Sequence, residues 1–177
     1  MIFTSHYCSP IGDILLASKD HQLIGLWIKG QKYDLGMSYE FHEKNDEKIL
    51  IQAKEWLTKY FNGQKPQITD LPLAPIGSEF RQRVWHILCQ IPYGEVTTYG
   101  AIAKSLAKQT GKSSMSAQAV GNAVGHNPIS IIIPCHRVIG ANGNLTGYAA
   151  GIDKKIQLLQ LEKVDMKNFS VPKKGTS

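Results

Sequence analysis

Three prolines, Pro66, Pro72 and Pro75, fall within the stretch NGQKPQITDLPLAPIGSEF. Proline lacks a backbone N–H and holds φ near about −65°, so neither a helix nor an inner strand can run through them. The 177-residue chain must therefore be built on either side of a boundary near residue 76. The two sides carry different patterns. Before the boundary, GDILLASKDHQLIGLWI reads as a β-hairpin. Ile14 and Leu16 alternate with Leu15 and Ala17 across two faces, SKDHQ supplies a polar turn, and residues 23–28 return. DEKILIQAKEWLTKYFNG then sets Ile49, Ala53, Trp56, Leu57 and Tyr60 at helical spacing, with Gly63 placed to end the helix. A small antiparallel sheet with one helix across it, an α/β domain over residues 1–75, lets each bury its apolar side against the other.

Beyond the boundary the pattern is mainly helical. Ser78 can cap a helix whose apolar stripe is Phe80, Val84, Trp85, Leu88 and Cys89, stopped by Pro92 and Gly94. Two short helices follow, over about residues 98–108 with Ile102, Ala103 and Leu106 inward, and over about 116–124. The second is lined by Ala117, Ala119, Gly121 and Ala123, small enough to let its backbone approach a sugar-phosphate chain closely. Such a pair is either a DNA-binding helix-turn-helix or a plain helical hairpin. Charge favours the first: residues 76–177 carry twelve Lys/Arg against five Asp/Glu, whereas residues 1–75 carry eight against nine. The expectation is a mainly α domain with a winged-helix-like helix-turn-helix over residues 76–170, then a flexible tail over 171–177. No apolar run approaches the roughly 20 residues that a bilayer-crossing helix needs. The start, MIFTSHYCSPIGDILL, lacks the basic and long apolar regions of a signal peptide. A cytoplasmic protein with no membrane partner is expected.

Chemistry concentrates in SIIIPCHRVIG. The three cysteines, Cys8, Cys89 and Cys135, are odd in number and form no CxxC pair, so reduced thiols are expected. Residues 131–133 read as a core strand that Pro134 breaks before Cys135, His136 and Arg137. A metal site wants three or four ligands at short spacings. His126 lies nine residues before Cys135, and Cys8 with His6 and His21 shows no such spacing, so no metal is expected. Two readings of Cys135 stay open on the residues alone. Cysteine is among the commonest buried residue types. Yet a thiol beside a base and a cation is also where a lowered pKa and a nucleophile are expected. His136 could then act if the backbone turns at Pro134, or through a bridging water. Such a pair wants a third group to orient the base. Downstream, GIDKKIQLLQLEKVD reads as a helix with Ile152, Ile156, Leu159 and Leu158 inward, and Glu162 near its end on the same side. Asp153 is placed to cap its start.

IPCHRVIG, preceded by GHNP and followed by NGNLTGYAAG, resembles the O6-methylguanine-DNA methyltransferase family (methylated-DNA–protein-cysteine methyltransferases) in its stand-alone form. VWHILCQIPYGEVTTYGAIA and AQAVGNAVGHNP look like the same family's flanking blocks, in order, so that the likeness covers about residues 78–165. The N-terminal part, ribonuclease-H-like in that family, resembles it in length and pattern. The resemblance implies irreversible, single-turnover transfer of a methyl group from O6-methylguanine to Cys135, with O4-methylthymine as a further candidate substrate and no cofactor. His136 is implied to take the thiol proton through a water, with Glu162 orienting it. Tyr99 is implied to donate to the guanine, Asn127 to brace the turn and Arg137 to tie the segment down. Tyr148, Ala149 and Ala150 are implied to line the base pocket, and Ala117, Gln118, Ala119, Gly121 and Asn122 to meet DNA. The implied partner is double-stranded DNA containing O6-alkylguanine, bound by a monomer. A DNA-binding or damage-sensing protein without transfer is the alternative, and a thiol hydrolase a more distant one.

The chain departs from the family pattern at two positions. Ala150 stands where glycine is frequent, a methyl group that would narrow the pocket toward small alkyl groups. Gln118 stands where an arginine is frequent, and it can wedge into the gap left by a flipped nucleotide without bringing charge. Gln118→Arg is therefore expected to tighten binding to duplex DNA and change its salt dependence. Titrations at several salt concentrations check this, and unchanged affinity together with an unchanged repair rate rejects it.

Overall fold

The structure, a computed structural model, describes residues 1–31 and 38–171. The chain forms two compact units. One comprises Met1–Gly77 together with Pro128–Ile132; the other comprises Ser78–Asn127 and the chain from Ile133 onward. All but the first residue of the tail expected at 171–177 lies outside the described residues.

In the first unit, β1 (Ile2–Ser9), β2 (Gly12–Lys19), β3 (Gln22–Ile28) and β4 (Phe41–Glu43) form one sheet in the order β3-β2-β1-β4. The hairpin of β2 and β3 closes with Lys19 opposite Gln22. Asp20 and His21 between them both have positive φ, 51° and 62°, the two-residue turn whose twist matches that of the strands. Asp20 and His21 are short polar or ring-bearing residues, which tolerate that conformation better than a β-branched one. The sheet is mixed rather than wholly antiparallel, because β4 pairs with β1 in parallel. At three residues, β4 is too short for an alternating pattern to reveal it.

Helix α1 (Lys48–Phe61) packs on β1, β2 and β3 and buries Ile49, Leu50, Ala53, Trp56, Leu57 and Tyr60. Gly63, at φ 77°, ends it. The outer edge of β3 is occupied twice over. Leu23 N donates to Pro72 O and Ala74 N to Leu23 O; farther along, Leu26 N donates to Pro128 O and Ser130 N to Leu26 O. The stretch Pro128–Ile132 thus completes the sheet's edge, and the side chain of Gln31 reinforces it through Ser130 Oγ at 3.2 Å.

The second unit holds α2 (Glu79–Leu88), β5 (Thr97–Thr98), α3 (Tyr99–Thr110), α4 (Ala117–Gly125), β6 (Val138–Ile139) and α5 (Ile152–Leu161). Ser78, Thr98 and Ser116 each accept the backbone N–H three residues on, capping α2, α3 and α4. Gly111, at φ 69°, turns the chain out of α3. Helices α2, α3 and α4 pack on one another around Val84, Trp85, Ile102, Leu106, Val120 and Val124. The Trp85 indole donates to Ala123 O at 2.8 Å. This is the helix-turn-helix arrangement, joined by a short parallel pair of β5 with β6.

Three local expectations change. Residues 131–133 are buried as expected but form tight turns, not a strand; only Ile129 bridges to the sheet, at Leu26. In α2 the stripe shifts: Ile87 is buried, while Phe80 and Cys89 are only half-buried and Cys89 terminates the helix. Asp153 does not cap α5. Gly151, at φ 100°, is the capping residue, and Asp153 sits in the first turn, where its charge faces the helix dipole.

A Cβ on Gly25 would lie 2.2 Å from the ring of the buried Trp27. Gly25→Ala is expected to destabilise the protein by about 1–3 kcal/mol through overpacking, read from the midpoint of urea unfolding.

Candidate active site

Two successive tight turns present Cys135. In the first, Ile132 N donates to Ser130 O at 2.8 Å across Ile131, whose φ is 71°. A β-branched residue held there costs about 1–3 kcal/mol, and such strain collects where a chain must be aimed. In the second, Cys135 N donates to Ile133 O at 2.8 Å across Pro134, at φ −81° and ψ 64°. Asn127 Nδ2 donates to that same Ile133 carbonyl, at 2.8 Å. Cys135–Arg137 then form a single 3₁₀ turn that leads into β6. The backbone therefore does turn at Pro134, and the thiol residue is left 6 % exposed.

His136 is 0 % exposed, and its Nε2 lies 2.5 Å from Glu162 Oε2. Glu162 is also buried, just past the end of α5. Its other oxygen accepts from Arg137 Nε at 2.7 Å and from Gly94 N at 3.1 Å. Arg137 Nη1 donates to Ile91 O at 2.7 Å, and the guanidinium lies 5.7 Å from the centre of the Tyr93 ring. A carboxylate at a helix C-terminus opposes the helix dipole, and the Arg137 cation offsets that. Burial pushes the Glu162 carboxyl up, but the hydrogen bonds and charges of His136 and Arg137 outweigh it and hold the group well below the usual carboxylate range. Burial lowers the His136 imidazole further than Glu162 can raise it, with Arg137 and Lys155 also lowering it. At neutral pH the pair is therefore a neutral imidazole on an ionised carboxylate. A carboxylate only accepts, so the imidazole proton resides on Nε2. Nδ1, which is buried and makes no hydrogen bond among the described residues, then carries the basic lone pair.

Tyr99 opens α3, and its hydroxyl donates to Thr146 O at 3.1 Å. Burial, with the charge of Cys135, pushes the phenol up to about 12, so it remains a donor. Thr146 belongs to the loop over residues 145–151, which carries Tyr148 and Ala150 half-buried and Ala149 exposed. On α4, Ala117, Gln118 and Asn122 are exposed, and Ala119 and Gly121 half-buried.

The sequence did not single out Lys155. Its residue is 0 % exposed, and Nζ donates to Val138 O at 2.5 Å, Thr146 O at 3.1 Å and Gly147 O at 3.3 Å. One signal was available: a lysine three residues after Ile152 and three before Leu158 lies on the inward stripe of its helix. Gly94 and the Ile91 carbonyl, which complete the shell of Glu162 and Arg137, carry no side-chain signal at all. Among the described residues, no group of three or more His, Cys, Asp and Glu is disposed to hold a metal ion, and no helix is long and apolar enough to cross a membrane.

A buried thiol, followed in the chain by a neutral imidazole that is itself fixed on an ionised carboxylate, is an arrangement that can ionise a cysteine, and it is mounted on a helix-turn-helix unit. Residues 79–164 match the 6-O-methylguanine DNA methyltransferase DNA binding domain, and residues 2–75 match the ribonuclease-like domain of the same family. The chain belongs to the 6-O-methylguanine-DNA methyltransferase family. A methylated-DNA–protein-cysteine methyltransferase of Methanosarcina barkeri is 46% identical over 160 residues, covering 90% of this chain and 96% of the relative. The crystal structure of the O6-methylguanine methyltransferase of Mycobacterium tuberculosis matches with a TM-score of 0.78 at 42% identity, over 92% of this chain and 93% of that one. The Mycobacterium tuberculosis protein in complex with DNA matches at 0.76 and 42% identity, over 92% of each chain.

Because folding holds the Glu162 carboxyl low, its stabilising contribution is complete above the unfolded value of about 4.3 and is lost as pH falls through the folded value. His136, held neutral by folding, acts in the same direction: its contribution is complete above about 6.5 and is lost on acidification. Glu162→Gln leaves Arg137 buried without its counter-charge and is expected to cost about 3 kcal/mol at pH 7. The loss should shrink toward pH 3, and urea unfolding across pH 3–7 reads it.

Proposed function

We infer that Cys135 is the alkyl acceptor and that His136 Nδ1 is the base that prepares it. The protein is a DNA-repair methyltransferase that moves the methyl group of O6-methylguanine to an active-site cysteine and is consumed in doing so. The observation that carries the residue assignment is the fixed tautomer of His136. With Nε2 committed to Glu162, only Nδ1 can receive the thiol proton, through a water between them. The thiolate then attacks the methyl carbon in line. The S–C bond forms as the C–O6 bond breaks, and guanine leaves as an anion that takes up a proton, with Tyr99 as the nearby donor. The product is a thioether, which does not revert, so one molecule repairs one base.

A thiol as enclosed as Cys135 cannot reach into a duplex. The base must leave the stack, at a cost of a few kcal/mol. The DNA complex of the Mycobacterium tuberculosis protein supports duplex DNA as the partner. In that reading α4 enters a groove with Ala117, Ala119 and Gly121 against the backbone, Asn122 on its exposed face, and Gln118 filling the gap. The 145–151 loop, with Tyr148, Ala149 and Ala150, closes on the extruded base. Monomeric action in the cytoplasm belongs to the same proposal.

Incubation with duplex DNA carrying isotope-labelled O6-methylguanine should transfer one label per protein to the peptide containing Cys135. Cys135→Ser should transfer none. Repeated turnover, or label on another residue, rejects the assignment.

A further inference from the structure

Lys155 is the only lysine fully buried among the described residues. The three donors of its ammonium group go to three neutral carbonyls, of Val138, Thr146 and Gly147. None goes to a carboxylate. A buried charge without a counter-ion is costly, so the charges around it bear counting. Glu162 is matched by Arg137 at 2.7 Å, and His136 is neutral. Tyr99 keeps its proton. One positive charge, that of Lys155, is left over. The remaining ionisable group in this cluster is the thiol of Cys135, on the turn against which α5 packs and three residues before Val138. A thiolate there, once its proton has passed through His136 to solvent, brings the buried charge to zero.

We propose that Lys155 is a positioning residue for the transfer, whose buried ammonium group both joins the strand leaving the nucleophile to the base-pocket loop and acts as the counter-charge of the Cys135 thiolate. The coupling is visible from the lysine's side. Burial lowers its ammonium to about 8, and the charge of Cys135 acts in the opposite direction. By reciprocity the ammonium group lowers the thiol. Methylation then has an electrostatic consequence. The thioether carries no charge, and Lys155 is left as a buried cation with nothing to balance it.

This rests on Cys135 being the acceptor, so the test uses a DNA-independent readout. The rate of Cys135 alkylation by iodoacetamide is followed against pH, with Cys8 and Cys89 replaced by serine. Lys155→Met is expected to raise the midpoint by about one pH unit or more, and Lys155→Arg, which keeps the charge, to bring it back toward the parent value. An unchanged midpoint in Lys155→Met, with slower repair of O6-methylguanine DNA, overturns the counter-charge and leaves a loop tether. Should Lys155→Met not fold, the unsubstituted protein decides. After Cys135 methylation the Lys155 ammonium group, deprived of the thiolate, should titrate lower than in the unmethylated protein, read by side-chain NMR against pH. An unchanged Lys155 titration overturns the proposal. If label from methylated DNA never reaches Cys135 while the midpoint still shifts, the acceptor assignment fails and the counter-charge stands.

Discussion

The carboxylate of Glu162 is the point on which the second unit's chemistry hangs. It accepts from the imidazole of His136, the guanidinium of Arg137 and the backbone of Gly94. Three stretches far apart in sequence are thereby fixed to one group: the end of α5, the turn of Cys135–Arg137 and the loop after α2. Each bond serves the others. Arg137 keeps the carboxylate ionised despite burial, the ionised carboxylate fixes the imidazole tautomer, and the tautomer decides which nitrogen is a base. An uncharged acceptor at 162 would preserve much of the shape while removing the reason for the proton's position.

Around this centre the 145–151 loop is held by two donors on one acceptor. Tyr99 from α3 and Lys155 from α5 both reach the carbonyl of Thr146. A carbonyl has two lone pairs, so both bonds form without competition. The parallel pairing of Thr97 with Val138 and of Thr98 with Ile139 links the start of the same α3 to the strand that follows Cys135. The helix that begins at Tyr99 is thus tied by hydrogen bonds both to the 145–151 loop and to the strand that follows Cys135.

How much of this was legible in the residues varied with what each interaction asks of them. The β2–β3 hairpin and α1 were plain, since both depend on the periodic burial of Ile14, Leu16, Ile49, Trp56 and their neighbours. Glu162 was legible because a carboxylate near an inward stripe has few structural reasons to be there. Residues 131–133 misled because three consecutive isoleucines carry strong strand propensity. Tertiary burial and the hydrogen bonds around Pro134 override it and force Ile131 into a positive φ. Lys155 was missed because an isolated lysine on a helix is usually a solvated one, and its acceptors are backbone carbonyls that no side-chain pattern announces.

The edge of β3 finally bears on how the protein comes to be. Leu26 bonds to Pro128 and Ser130, more than a hundred residues further along the chain. On the ribosome β3 is made early, but that part of its edge stays open until most of the chain has emerged. Contacts of such long sequence separation form late and slow the search for the native state. The turns that aim Cys135 begin within that same stretch, at Ile131. The turn carrying Cys135 is therefore continuous with a sheet edge that can close only after most of the chain has been made.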